Sequence, residues 1–215
     1  MWVEAFKEQF KPLLSYLSLF FTFINPSKGR VYQLVLYKLN GVLYLCRNKL
    51  STEALKTVYY SLAYSHLSYC ITIWGSTWKR FINQVILAQK RVIRTISYAG
   101  RYERSAPLFI QNKMLAYKYV HHYFCSLIIH KFMYSGYCSD IFQLYQIPRE
   151  LRYNVNTVHV PLFRTTRGQQ SILYRAPYIW NNLPNNLRSI GNIVTFKRSL
   201  KLFLQNNQIH DHEEI

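Results

Sequence analysis

Residues 51–100, STEALKTVYYSLAYSHLSYCITIWGSTWKRFINQVILAQKRVIRTISYAG, decide the fold of this chain. Ser51 or Thr52 stands where a helix needs an N-cap, and Glu53 follows in the first turn, at the positive end of the helix dipole. Leu55, Val58, Tyr59, Leu62 and Ala63 recur three and four residues apart, the spacing of a buried helical stripe. A bend is expected from Tyr64 to His66, then an aromatic knot at Tyr69-Cys70 and Trp74-Gly75. Ser76 or Thr77 should cap the next helix, which runs to about Tyr98 with Ile82, Val85, Ile86, Gln89, Val92, Ile93 and Ile96 on one face. Lys90, Arg91 and Arg94 project from its other side. Cations there suit the helix C-terminal dipole, and equally a phosphate-contacting edge to which Lys79, Arg80, Arg101 and Arg104 lie close in sequence. No catalytic constellation lies in the stretch.

Upstream, residues 1–30 read as an amphipathic segment followed by an apolar run, Leu13 to Ile24. That run is short of the roughly 20 residues that span a bilayer. Lys7 and Lys11 resemble the front of a signal peptide, but only Asn25-Pro26-Ser27-Lys28 follows, with no small-residue cleavage site. A core or interfacial helix is expected, not a membrane span. Pro26 to Gly29 marks a boundary, and Leu34, Val35, Leu39, Val42, Leu43 and Cys46 then recur at helical spacing.

Downstream, Pro107 near the start of a short helix from Ser105 does no harm, because its missing donor is not needed there. Residues 115–134 are apolar nearly all round, as expected of a helix buried in a bundle. Gly136 should end it, and Ser139-Asp140 should cap a short helix to about Tyr145. From Pro148 the pattern changes. Val158, Val160, Leu162 and Phe163, the turn Thr165-Thr166-Arg167-Gly168, and Ile172 to Tyr174 predict a short β-hairpin. Ala176-Pro177 should open a helical turn that holds Trp180 and stops at Leu183-Pro184. An amphipathic helix from about Val194 to Asn206 closes the fold, and residues 208–215 read as a disordered tail.

Composition narrows the function. The chain has 27 Lys plus Arg against 9 Asp plus Glu, a net charge of +18 over 215 residues. A chain so basic, with 19 Tyr and 13 Phe, points to a polyanion or a partner surface. Two-metal phosphoryl transfer and glycosidase chemistry need clustered carboxylates. Here Asp140 is isolated, and Asp211, Glu213 and Glu214 fall in the tail. Cys46, Cys70, Cys125 and Cys138 form no C-x-x-C pair and sit in apolar surroundings, which suits reduced core thiols of an intracellular protein. His121, His122, Cys125 and Cys138 match no standard zinc-finger spacing. No catalytic residue, metal site or cofactor is expected.

Two segments carry a resemblance. One is Tyr59-Tyr60-Ser61-Leu62, His66-Leu67-Ser68-Tyr69-Cys70, Trp74-Gly75-Ser76 and Gln89-Lys90-Arg91-Val92-Ile93-Arg94. The other is Val160-Pro161-Leu162-Phe163-Arg164-Thr165, Gly168, Ser171-Ile172, Tyr174-Arg175, Pro177, Trp180-Asn181-Asn182-Leu183-Pro184 and Thr195-Phe196-Lys197-Arg198-Ser199-Leu200. In order and spacing they resemble the region beyond the polymerase palm in jockey-like, LINE-type non-LTR retrotransposon reverse transcriptases. Cys70 and Ala176 stand where that family usually has Gly, and Ser65 where it usually has Pro.

The resemblance implies a thumb and post-thumb fragment of an RNA-directed DNA polymerase, lacking the palm and its catalytic carboxylates. A mainly α fold is then expected: a divergent N-terminal apolar segment (1–30), a thumb-like helical region (31–104), post-thumb helices (105–147), and a hairpin or arm with a C-terminal helix (148–207). RNA or an RNA–DNA duplex would be the partner, held by Lys79, Arg80, Lys90, Arg91, Arg94, Arg164 and Arg167, with a polymerase core supplied elsewhere. Tyr69, Trp74, Gly75, Gly168, Pro177, Trp180 and Pro184 would be structural. Two other readings stay open: a structural fragment that binds no nucleic acid, and a membrane-associated basic protein anchored through Leu13 to Ile24.

Overall fold

The computed structural model describes residue 37, residues 40–136 and residues 156–213. The expectations for residues 1–30, for the helix after Ser139-Asp140 and for the start of the arm lie outside those residues. The described part is mainly helical, as expected. Helix α1 covers residues 40–46. It is followed by α2 (Thr52–Val58), a π-helical turn (Tyr59–Tyr64), α3 (Ser65–Ser68), α4 (Ile71–Trp74), α5 (Lys79–Ile96), α6 (Ser105–Gln111) and α7 (Tyr117–Ser135). Then come α8 (Thr166–Gln169), α9 (Ile172–Asn181), α10 (Asn185–Arg188) and α11 (Ile193–Glu213).

Helix α7 is the hub, packing against α3, α4, α5, α9 and α11. This explains why its sequence is apolar on every side: a helix covered all round has no polar face to spare. Val120, Cys125 and Ile129 are fully buried along it. Trp180 from α9 and Phe196 from α11 are also fully buried and close around His130 of α7, whose ring stacks on Phe196 with centroids 4.2 Å apart. Gly136, at φ 63°, ends α7 in the left-handed region, as a C-terminal glycine should.

Ser51 caps α2, its hydroxyl accepting from Ala54 N–H at 3.3 Å. The chain turns later than the sequence suggests. Residues 59–68 stay helical through the π turn, and the reversal comes at Cys70, at φ 50°. A left-handed residue there breaks the helix where a glycine would most easily do so. The cap of α5 is Trp78, not Ser76 or Thr77.

The hairpin is corrected. No strand occurs among the described residues; the segment from residue 157 runs extended to Thr165, which caps α8 by accepting from Gly168 N–H at 3.1 Å. The residues expected as its turn and second strand form α8 and the start of α9 instead. The Asn181 side chain replaces a partner strand: its Oδ1 accepts from Val158 N–H at 3.0 Å and its Nδ2 donates to Val158 C=O at 2.6 Å. With its backbone satisfied this way, Val158 can be buried without a ladder. Pro177 lies inside α9, not at its opening, so one intrahelical hydrogen bond is forgone in a buried turn. The helix ends at Asn181, before Leu183-Pro184, and Pro184 instead caps the start of α10. The last helix continues through residues 208–213, expected as disordered. Gln208 explains the extension: it is buried and bonds Ala116 N–H at 2.9 Å and Met114 C=O at 3.2 Å.

Candidate nucleic-acid interface

Helix α5 advances about 100° per residue. Counted from Lys79, the positions of Arg80, Lys90, Arg91 and Arg94 all fall within about 120° on that turn. The buried residues Val85, Ala88, Gln89, Val92, Ile93 and Ile96 occupy the opposite side. All five cations therefore line one solvent-facing stripe roughly 22 Å long, from 15 steps at about 1.5 Å each. None of the five has an ion-pair partner among the described residues; Lys56, by contrast, is paired with Glu53 at 2.8 Å.

Two of the five also hold the fold together. The Arg91 guanidinium lies 4.6 Å over the Tyr37 ring. Arg94 Nε donates to Glu103 C=O at 2.8 Å, while Glu103 Oε2 accepts from Gly100 N–H at 3.0 Å, so Arg94 fastens the loop after α5. Lys79 and Arg80 are exposed. Arg164 and Arg167 are also exposed, but they belong to the extended segment and to α8, which leans on α9.

Three of the residues expected to be structural, Tyr69, Trp74 and Gly75, meet at the bend. Trp74 Nε1 donates to Tyr69 C=O at 2.7 Å, and the Trp74 ring lies 5.8 Å from that of Tyr117. Trp74 is only half-buried, whereas Trp180 is fully enclosed and donates from Nε1 to Asn156 C=O at 2.7 Å. Gly75 is buried; a Cβ there would press into the His121 ring and the Ile71 carbonyl. Gly168 packs under Phe163, whose ring a Cβ would meet at 2.8 Å.

Chemically reactive groups are muted by burial. His121 Nε2 lies 3.2 Å from Ser76 Oγ and 3.4 Å from Cys125 Sγ. Burial, then the neighbouring His122 and Arg175, lowers the His121 pKa to about 4. Burial pushes the Cys125 thiol far up, so it stays protonated and is a poor nucleophile. Cys46, Cys70 and Cys125 are free thiols; Cys138 lies outside the described residues. Among those residues no group of three or more His, Cys, Asp or Glu could hold a metal ion, and no helix is long and apolar enough to cross a membrane.

Sequence reasoning missed Arg175 as a site residue. It lines a cleft between α7, α9 and α11 with Lys118 and His122. The sequence signal was a lone arginine between Tyr174 and the buried Ala176, on a helix otherwise rich in apolar residues. Comparison of the chain with protein-family models, with curated proteins and with solved structures gives no match.

Proposed function

We propose that the chain is a nucleic-acid-binding module, the thumb and post-thumb part of a jockey-like, LINE-type reverse transcriptase, without nucleotidyl transfer of its own. The observation that supports it is the α5 stripe: five cations on one face, without carboxylate partners among the described residues. On this reading Lys79, Arg80, Lys90, Arg91 and Arg94 contact backbone phosphates of RNA or an RNA–DNA duplex, with Arg164 and Arg167 as outlying contacts. Binding is then weak in sequence preference and steep in salt. A polymerase core comes from elsewhere, and the setting is intracellular.

The intramolecular duties of Arg91 and Arg94 favour a second reading, a structural or interaction fragment that binds no nucleic acid. Fluorescence anisotropy of a labelled RNA–DNA duplex across a salt series separates the two. The module reading expects log affinity to fall by roughly 0.9 per neutralised phosphate for each unit of log salt. Lys79→Ala combined with Lys90→Ala should lower that slope by about 2, one for each lost contact. An unchanged slope means that the stripe is not the contact surface. No binding at low salt, by a protein shown to be folded, leaves the structural-fragment reading standing.

A further inference from the structure

The cleft between α7, α9 and α11 encloses about 280 Å³. That is just under the roughly 300–1,000 Å³ of ordinary small-ligand pockets, so there is room for one small ring-bearing group and none for a duplex. Helix α7 contributes Lys118, Tyr119 and His122, α9 contributes Arg175 and Tyr178, and α11 contributes Phe203. Among the described lining residues none is acidic.

Arg175 is the telling residue. Its Nε is buried and has no hydrogen-bond partner in the structure. That atom is sealed from solvent, but Arg175 as a whole is only half-buried and lines the cleft. Its guanidinium, which keeps its proton, would meet a ligand there through its other donors. Phosphate is the matching acceptor, since its oxygens take the guanidinium donors in pairs. Aromatic surface lies beside the cations. The Lys118 ammonium sits 5.3 Å over the Tyr119 ring, and the Tyr119 and His122 rings meet edge to face at 6.3 Å. Tyr178 is 46% exposed and lies parallel to Tyr174 at 6.0 Å. Cations in a cleft where one ring, Tyr178, is exposed fit a group with a charged end and a planar end.

We propose that this cleft is a site for a single nucleotide, with its phosphate on Arg175 and Lys118 and its base against Tyr178. The choice of a nucleotide over other ring-bearing anions rests on the nucleic-acid reading above; the anion site itself does not. Base stacking on tyrosine tolerates any base, so the site should show little preference among the four.

The test is calorimetric titration of the full chain with adenosine 5′-monophosphate, uridine 5′-monophosphate and inorganic phosphate, alongside duplex anisotropy on the same samples. Circular dichroism confirms folding of the Arg175→Gln and Tyr178→Ala variants. The nucleotides should bind saturably and more tightly than phosphate. Arg175→Gln should weaken them about tenfold or more, as for a lost charged hydrogen bond. Tyr178→Ala should weaken them by about tenfold through lost stacking and leave phosphate unchanged. Nucleotides binding no tighter than phosphate, or Arg175→Gln binding them like the parent, overturns the proposal. If the cleft fails while duplex binding keeps its salt slope, only the cleft is wrong. If nucleotides bind as expected and the duplex does not, the cleft stands and the α5 assignment falls.

Discussion

The Gln89 side chain accepts the Tyr117 N–H at 2.8 Å across 28 residues of sequence. That donor opens α7, where the first N–H groups have no partner within the helix. The same amide donates from Nε2 to Tyr59 Oη and to Leu115 C=O, each at 3.1 Å. A glutamine 3% exposed thus joins the π turn, α5 and the start of the hub helix, with both ends of its amide used.

Replacing it with an apolar side chain of similar length should therefore cost more than its volume suggests. Gln89→Met leaves Tyr117 N–H, Leu115 C=O and Tyr59 Oη buried without it. At about 1–3 kcal/mol for each group left unsatisfied, partly relieved by relaxation, a loss of roughly 3 kcal/mol is expected. Urea unfolding followed by circular dichroism measures it; a loss below about 1 kcal/mol would mean that this network contributes no more than one ordinary hydrogen bond.

Two glycines should respond in opposite directions. At Gly75 a methyl group meets the His121 ring and a backbone carbonyl, and Tyr117 Oη donates to Gly75 C=O at 2.8 Å, which resists displacement. Gly75→Ala should destabilise by about 1–3 kcal/mol, as overpacking does. Gly41 lies in α1 with nothing within 4 Å of an added Cβ, so Gly41→Ala should gain about 0.5–1 kcal/mol from helix propensity. Melting temperatures of the two variants should fall on either side of the parent's.

Stability should decline on mild acidification. Native His121 resists protonation down to about pH 4, whereas an unfolded histidine takes up its proton near 6.5. The unfolded state therefore binds more protons between those values. The contribution is fully present above about pH 6.5 and is lost as pH falls towards 4, by roughly 3 kcal/mol in all. Burial lowers the His130 pKa as well, with the same sign. Urea midpoints between pH 7.5 and 4.5 should drop accordingly, and His121→Gln should flatten the curve; equal slopes for variant and parent would remove His121 as the cause.

Much of the helical order is legible in the sequence. Ser51 as a cap, the buried stripe of α5 and Gly136 as the end of α7 rest on contacts within a few residues, and their spacing carries the information. The extended segment was less legible. Val158, Val160 and Leu162 have the composition of a strand, but only the fold brings Asn181 to Val158 and supplies what a partner strand would have supplied. Arg175 was hidden for a similar reason, because nothing in YRAPYIW tells that α7 and α11 close a cleft around it.

By itself, then, the sequence determined that the chain is helical and basic, that α5 has an apolar side and a cationic side, and that residues 115–134 belong in the interior. These follow from local periodicity and charge. Only the tertiary structure decided that Gln89 caps α7, that Gly75 has no room for a side chain, and that Gln208 carries α11 past residue 207. Each depends on groups far apart in the chain, and packing, unlike periodicity, leaves no local mark on the residues that meet.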